Sequence, residues 1–237
     1  MITLANVAVK VDAKGVRKKK LFFKLLWIVL VLLLLLISVT YGILYVINQN
    51  GNFTITLDQN AYEQEKLIVS PRSDFAFTTH KMVIPALEYM DNITESWLPA
   101  DIDNEADGPH NGNNYMAYTF YVKNNSEDTL SYSVVINVIS VIKNVDNAVR
   151  VKIYRNGNET VYAKRTPTGE IEMETTPFVN DKQVMNTLVE DFTKGAVDKY
   201  TIVVWLEGED PECINNIIGG EMKMEMIIGE NTQKYER

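Results

Sequence analysis

Between Leu25 and Ile47 the chain reads LLWIVLVLLLLLISVTYGILYVI, twenty-three residues without a single charge. As a helix rising about 1.5 Å per residue, this run is about 34 Å long, enough to cross a bilayer core of about 30 Å. Trp27 near one end and Tyr41 and Tyr45 near the other match the aromatic girdles of membrane spans. Ser38, Thr40 and Gly42 interrupt the run only mildly. The pattern predicts a transmembrane helix over 25–47. A buried helix of a soluble protein would not explain the Lys/Arg cluster beside it.

Charge is divided sharply about this run. Met1 to Lys24 carries seven basic residues and one acid, Asp12, a net of +6. The rest carries sixteen basic and thirty acidic residues, a net of −14, which leaves the whole chain at −8. Basic flanks stay on the cytoplasmic side, so the expected order is a cytoplasmic basic tail (1–24), the helix (25–47) and an extracytoplasmic domain (48–237). A secretory signal has a shorter apolar core of about 7–15 residues and small residues before the cut. Ser38-Val39-Thr40 is a poor imitation of such a site, which favours an uncleaved anchor over a signal cut near Ser38–Tyr41. Asn48–Asn52 reads as a short polar stalk. The acidic balance of the domain argues against nucleic acid as a partner.

The domain alternates with period two. Phe53, Ile55 and Leu57 form one face, and Met116, Tyr118, Phe120 and Val122 another. Leu130 to Val138, Val149 to Ile153, Tyr200 to Leu206 and Met222 to Ile228 repeat the pattern. One buried and one wet face is the mark of antiparallel sheets. Asn156-Gly157 is a hairpin signal, and Lys123–Asp128 is a polar link between two strands. The expected fold is all-β: an antiparallel, jelly-roll-like β-sandwich. Leu87–Leu98 reads as a short helix or an irregular excursion, and Asp181–Phe192 as helix or strand. Asp210-Pro211-Glu212-Cys213 has the order of a helix start: cap, Pro in the first turn, then an acid.

Searches for chemistry return little. There is no G-x-S-x-G elbow, His80 and His110 have no carboxylate partner in sequence, and Cys213 has no local base. His80 and His110 are expected on the surface or in loops, and Cys213 as a small buried residue. As the chain's one cysteine it can form no intramolecular disulfide, though an intermolecular bond or reactive thiol stays open. No catalytic residue is identified, and the expectation is that the chain is not an enzyme. The most specific cluster is Asp101-Ile102-Asp103-Asn104-Glu105-Ala106-Asp107-Gly108. Acidic oxygens at every second position can curl around calcium, with Asp101, Asp103, Glu105 and Asp107 as ligands. Counting Asp103 as position one, position twelve is Asn114 rather than Glu, so this is no EF-hand. A solvated acidic loop is the other reading. Met222, Met224 and Met226 alternate as core methionines do, and less as Cu(I) ligands. N-x-S/T sites occur at Asn52, Asn92, Asn124 and Asn158. The scarcity of cysteine in an exported domain points to a Gram-positive bacterium instead of a eukaryotic secretory pathway.

The segment from Asp191 to Cys213, DFTKGAVDKYTIVVWLEGEDPEC, followed by Ile218-Gly-Gly-Glu-Met-Lys-Met, resembles the camelysin/TasA-like exported proteins of Gram-positive bacteria. These are released by a SipW-type signal peptidase. Tyr115-Met-Ala-Tyr-Thr-Phe-Tyr-Val-Lys-Asn is compatible with the same group. The resemblance implies a jelly-roll-like sandwich at the cell surface, in a group known for biofilm matrix fibres. No H-E-x-x-H site is present, so it carries no catalytic residue over. The N-terminus departs from the group by looking like a retained anchor. The combined expectation is a membrane-anchored surface protein with a structural or adhesive role, bound to the bilayer through 25–47 and open to protein partners or self-assembly. The alternatives are a cleaved, secreted subunit of a matrix fibre, and an envelope enzyme or sensor.

Overall fold

The structure, a computed structural model, describes residues 13–48 and 53–229, with side chains described over 20–42 and 53–229. The tail before Ala13, most of the stalk and the Asn52 sequon lie outside the described residues. Contacts divide the chain into Met1–Gln49 and Asn50–Arg237.

The described residues of the first unit form one helix, α1 (Ala13–Asn48). It contains the whole predicted span. Among the residues with described side chains, Lys20–Gly42 is long and apolar enough to cross a membrane, and none of it is buried. The Ser38 hydroxyl donates to the Leu34 carbonyl and that of Thr40 to the Leu36 and Ile37 carbonyls, so both polar side chains are satisfied within the helix.

The second unit is mostly β. Its strands are β1 (Phe53–Leu57), β2 (Leu67–Ser70), β3 (Lys81–Ile84), β4 (Gly108–Pro109), β5 (Tyr115–Asn124) and β6 (Leu130–Ile142). They continue as β7 (Val149–Arg155), β8 (Asn158–Ala163), β9 (Thr176–Pro177), β10 (Gln183–Phe192), β11 (Val197–Leu206) and β12 (Glu221–Gly229). A short helix, α2 (Gln59–Glu63), follows β1, and the Asp58 carboxylate accepts the Asn60 N–H at its start. One sheet has the order β10-β6-β12-β1-β3; the other runs β2-β5-β11-β7-β8-β9, with β4 beside β5.

Two packed sheets are what the alternation predicted. Phe53, Ile55, Phe120, Val122, Ile136, Ile202, Met224 and Met226 meet in the core between them. The methionine stripe is therefore core packing. Pairing is antiparallel except at β1–β12 and β8–β9, which are parallel. β1, the first strand after the apolar helix, lies between β12 and β3, and Phe53 is fully buried there.

The ambiguous segments resolve locally. Asp181–Phe192 forms β10, an edge strand with two register shifts against β6. Leu87–Leu98 is irregular, with one 3₁₀ turn at Glu95–Trp97. Asp210–Cys213 does not start a helix. The Asp210 carboxylate accepts the Glu212 N–H and its carbonyl accepts the Cys213 N–H, which closes a turn. The one-turn helix comes later, at Asn215–Ile217. Lys123–Asp128 crosses from one sheet to the other, and Asn156-Gly157 closes the β7–β8 hairpin with both residues at positive φ.

A polar strut joins the sheets inside the core. The Tyr132 hydroxyl on β6 donates to Asp198 on β11, and Tyr200 lies 2.9 Å from the same hydroxyl. Arg155 on β7 pairs with the Asp198 carboxylate at 2.9 Å, and Asn156 donates to its other oxygen at 2.6 Å. Burial, Tyr200 and Asp198 all push the Tyr132 hydroxyl above the ordinary tyrosine range, so it stays a donor.

Candidate functional site

The sequence pattern assigns Val149, Val151 and Ile153 to one face of β7 and Arg150 and Lys152 to the other, wet one. In the folded domain that second face is covered. Arg150 and Lys152 are 5% and 6% exposed. Trp205 and Val203, their partners in register on β11, are fully buried. The segment after Ile93 lies over this face, where Ile93, Ile102, Ala117, Tyr154, Val203 and Trp205 form a second hydrophobic cluster. The Ile93 N–H donates to the Leu206 carbonyl at 2.9 Å and fixes the cover to the end of β11.

Burial obliges Arg150 to find carboxylates. Its guanidinium pairs with Asp210 at 2.7 Å and Glu172 at 3.5 Å, and the Asp210 side chain is fully buried. Glu172, Asp210 and Glu212 each place a carboxylate oxygen within 4.8 Å of the others, which among the described residues is the set that could hold a metal ion. One Glu172 oxygen is shielded and accepts no hydrogen bond. Burial, then the Asp210 charge, raise the Glu172 carboxyl above its ordinary range. A hydrogen bond with Asp210, then burial, raise that of Glu212. Close by, burial and the charges of Asp210 and Glu207 push the Cys213 thiol up, away from the reactive thiolate.

Arg150, Glu172 and Asp210 border a cleft of about 430 Å³. Its walls include Glu95, Glu172, Glu174, Glu207, Glu209 and Asp210 against one guanidinium, and Trp205 reaches it with its indole N–H donated to Glu207 at 2.9 Å. Lys152 is turned to Glu95 at 2.8 Å and Glu159 at 2.9 Å. Burial works against its charge, and the two carboxylates overcome that and raise its pKa. A carboxyl raised above its ordinary range beside a second carboxyl and a guanidinium is the kind of group that acid–base chemistry uses.

The predicted calcium residues are placed differently. Asp103 is buried and turns to Lys199 at 3.4 Å, while that lysine also donates to the Asp103 carbonyl and to Asn104. The Asp107 carboxylate accepts from the Tyr121 hydroxyl at 2.6 Å and from the Ser73 N–H and hydroxyl. Asp101 and Glu105 are exposed. The four carboxylates do not converge as Glu172, Asp210 and Glu212 do.

His80 is exposed and rests on the Tyr62 ring. His110 is half-buried against the Gly108 carbonyl, 2.9 Å away. Cys213 is half-buried instead of fully buried, packed against the core just before the one-turn helix. Asn124 is buried and donates to the Asp128 and Phe192 carbonyls, so the folded domain cannot present that sequon; Asn92 and Asn158 are exposed. The Arg150 cluster escapes sequence reasoning because its members are far apart in the chain. The available signal was Trp205 and Val203 on the supposedly wet side of β11.

No protein-family model and no curated protein matches the chain. Among solved structures it is similar to a β-glucosidase from Kluyveromyces marxianus in complex with glucose, at 14% identity and a TM-score of 0.24. The likeness covers 71% of this chain and 16% of the β-glucosidase, and at that TM-score it carries no argument about fold or chemistry.

Proposed function

We propose that this chain is a membrane-anchored surface protein that displays an acidic β-sandwich for structural or adhesive work at the envelope of a Gram-positive bacterium. The observation that supports it most is the pairing of one exposed apolar helix with one separate β module of net acidic charge. The likeness of Phe192–Met226 to camelysin/TasA-like proteins favours a structural role over a catalytic one. The test is fractionation with terminal sequencing, combined with amine labelling of intact cells. Intact chain in the membrane fraction, labelled at Lys143 and not at Lys18, is the expected result. Protein in the medium that begins near Ser38–Tyr41 would instead establish the cleaved, secreted fibre subunit.

The cleft favours one further reading, an envelope enzyme. It rests on Glu172 in the cleft wall beside Arg150 and on Glu212, whose carboxylate lies within 4.8 Å of it, both raised above their ordinary range. Carboxyl titration followed by NMR decides it: ordinary titration of both Glu172 and Glu212 removes the reading.

A further inference from the structure

The apolar span is about one turn longer than a bilayer core needs, and α1 does not stop where the span begins. It continues to Ala13, so the basic residues next to the span are helical positions. Lys14, Arg17, Lys18, Lys19, Lys20 and Lys24 fall within about 15 Å of helix axis. From Ala13 to Asn48 there is no acid to pair with them. The far end of the span has no charged residue before Asp58.

The angular distribution identifies the partner. At about 100° per residue the six basic positions surround the helix, and the widest gap between neighbours is about 100°. A protein partner docks on one face of a helix and leaves the other to solvent. Basic positions on every side of the helix, next to the apolar run, suit a medium that surrounds it. We propose that these residues form a collar for anionic lipid headgroups, so that the chain gathers acidic phospholipid around one end of its helix. The proposal rests on the anchor reading, though not on which way the chain faces.

Trp27, one turn beyond Lys24 and 70% exposed, reports the neighbouring lipid. The full chain is reconstituted into phosphatidylcholine vesicles that hold a minor share of phosphatidylglycerol, with brominated chains on one lipid at a time. A Trp27→Phe chain provides the blank for Trp97 and Trp205. Quenching should show phosphatidylglycerol enriched about fivefold or more over its bulk share, the factor expected from even one cation at an anionic surface, and the enrichment should fall with salt. Replacing Lys14, Arg17, Lys18, Lys19, Lys20 and Lys24 together by Gln should bring it towards the bulk share, while replacing the five lysines by Arg keeps it. Enrichment that is absent, or that survives the Gln variant, overturns the collar. If brominated phosphatidylcholine fails to quench Trp27 at all, the anchor reading itself falls and the collar with it.

Discussion

The outer faces of the two sheets make the most instructive contrast in the domain. On the five-stranded sheet, Lys81, Val83 and Leu188 are exposed and Thr56, Glu225, Ile227 and Asn186 are half-buried. On the seven-stranded sheet, Ala117, Thr119, Thr201, Val203 and Trp205 are fully buried, and Arg150 and Lys152 nearly so. Both faces come from alternating strands, yet one is open at its edges, with only Thr54, Ser133 and Val135 shielded near its centre, and the other is a second core with charges sealed beneath it. Alternation therefore reports two sides of a sheet; the residue types on the second side report whether anything covers it. A covered face must also satisfy its polar groups, which is why the Thr119 and Thr201 hydroxyls meet at 2.7 Å and why the acids gather around Arg150.

Trp205→Ala should break the contrast most severely. A cavity of that size costs about 3–5 kcal/mol, read as a lower urea midpoint, and would show the cover to be a true core layer. A loss below about 1 kcal/mol would mean that the segment after Ile93 merely rests on the sheet. Asp210→Ala comes next. It leaves the buried Arg150 with the Glu172 carboxylate and the Val149 carbonyl, each at 3.5 Å, and breaking a buried pair costs roughly 3 kcal/mol or more. The paired change Arg150→Met with Asp210→Leu should cost much less, because no charge is then stranded.

Two carboxylates fasten segments to the covered face with opposite pH sense. Burial works to raise the Asp107 carboxyl, but hydrogen bonds from Tyr121 and Ser73 outweigh it and set its pKa below the ordinary value. A depressed folded pKa stabilises above the unfolded pKa, and that contribution is lost as pH falls through the folded one. The Glu172 carboxyl is raised, so its contribution is present below the unfolded pKa and lost as pH rises through the folded one. Asp107→Asn should therefore lower the melting temperature at about pH 7, and Glu172→Gln should leave it equal or higher; both differences should shrink near about pH 3. Like-signed changes for the two variants at neutral pH would refute the assignment.

Sequence legibility follows the same division. The apolar helix and the strands with strict alternation, such as Met222–Ile228, can be read directly because one physical pattern governs each. β10 cannot. Its register shifts leave Val184 and Met185 both in the core, followed by Val189 and Phe192, and this imitates helical spacing. The calcium reading of Asp101–Asp107 rests on spacing alone, whereas Lys199 and Tyr121, which engage Asp103 and Asp107, come from distant strands. Arg150 and Asp210 are joined by the pairing of β7 with β11 and the turn after it, and Glu172 reaches them from the segment between β8 and β9. That Trp205 and Val203 share a face with Arg150 could have been noticed, and it would have required a buried carboxylate nearby.

The smallest effect belongs to the open face. Leu188 sits on β10, an edge strand, and is 47% exposed. Leu188→Lys loses partial apolar contact and places a charge in water, so thermal unfolding should register a change within about 0.5 kcal/mol. The substitution also tests what the open edge does. A lysine on an edge strand obstructs pairing with a further strand, so a chain that self-associates through β10 would lose association while keeping its stability. Unchanged sedimentation of the variant would place any self-association elsewhere. A large loss of stability would mean that this face is covered too, and the contrast between the two sheets would have to be abandoned.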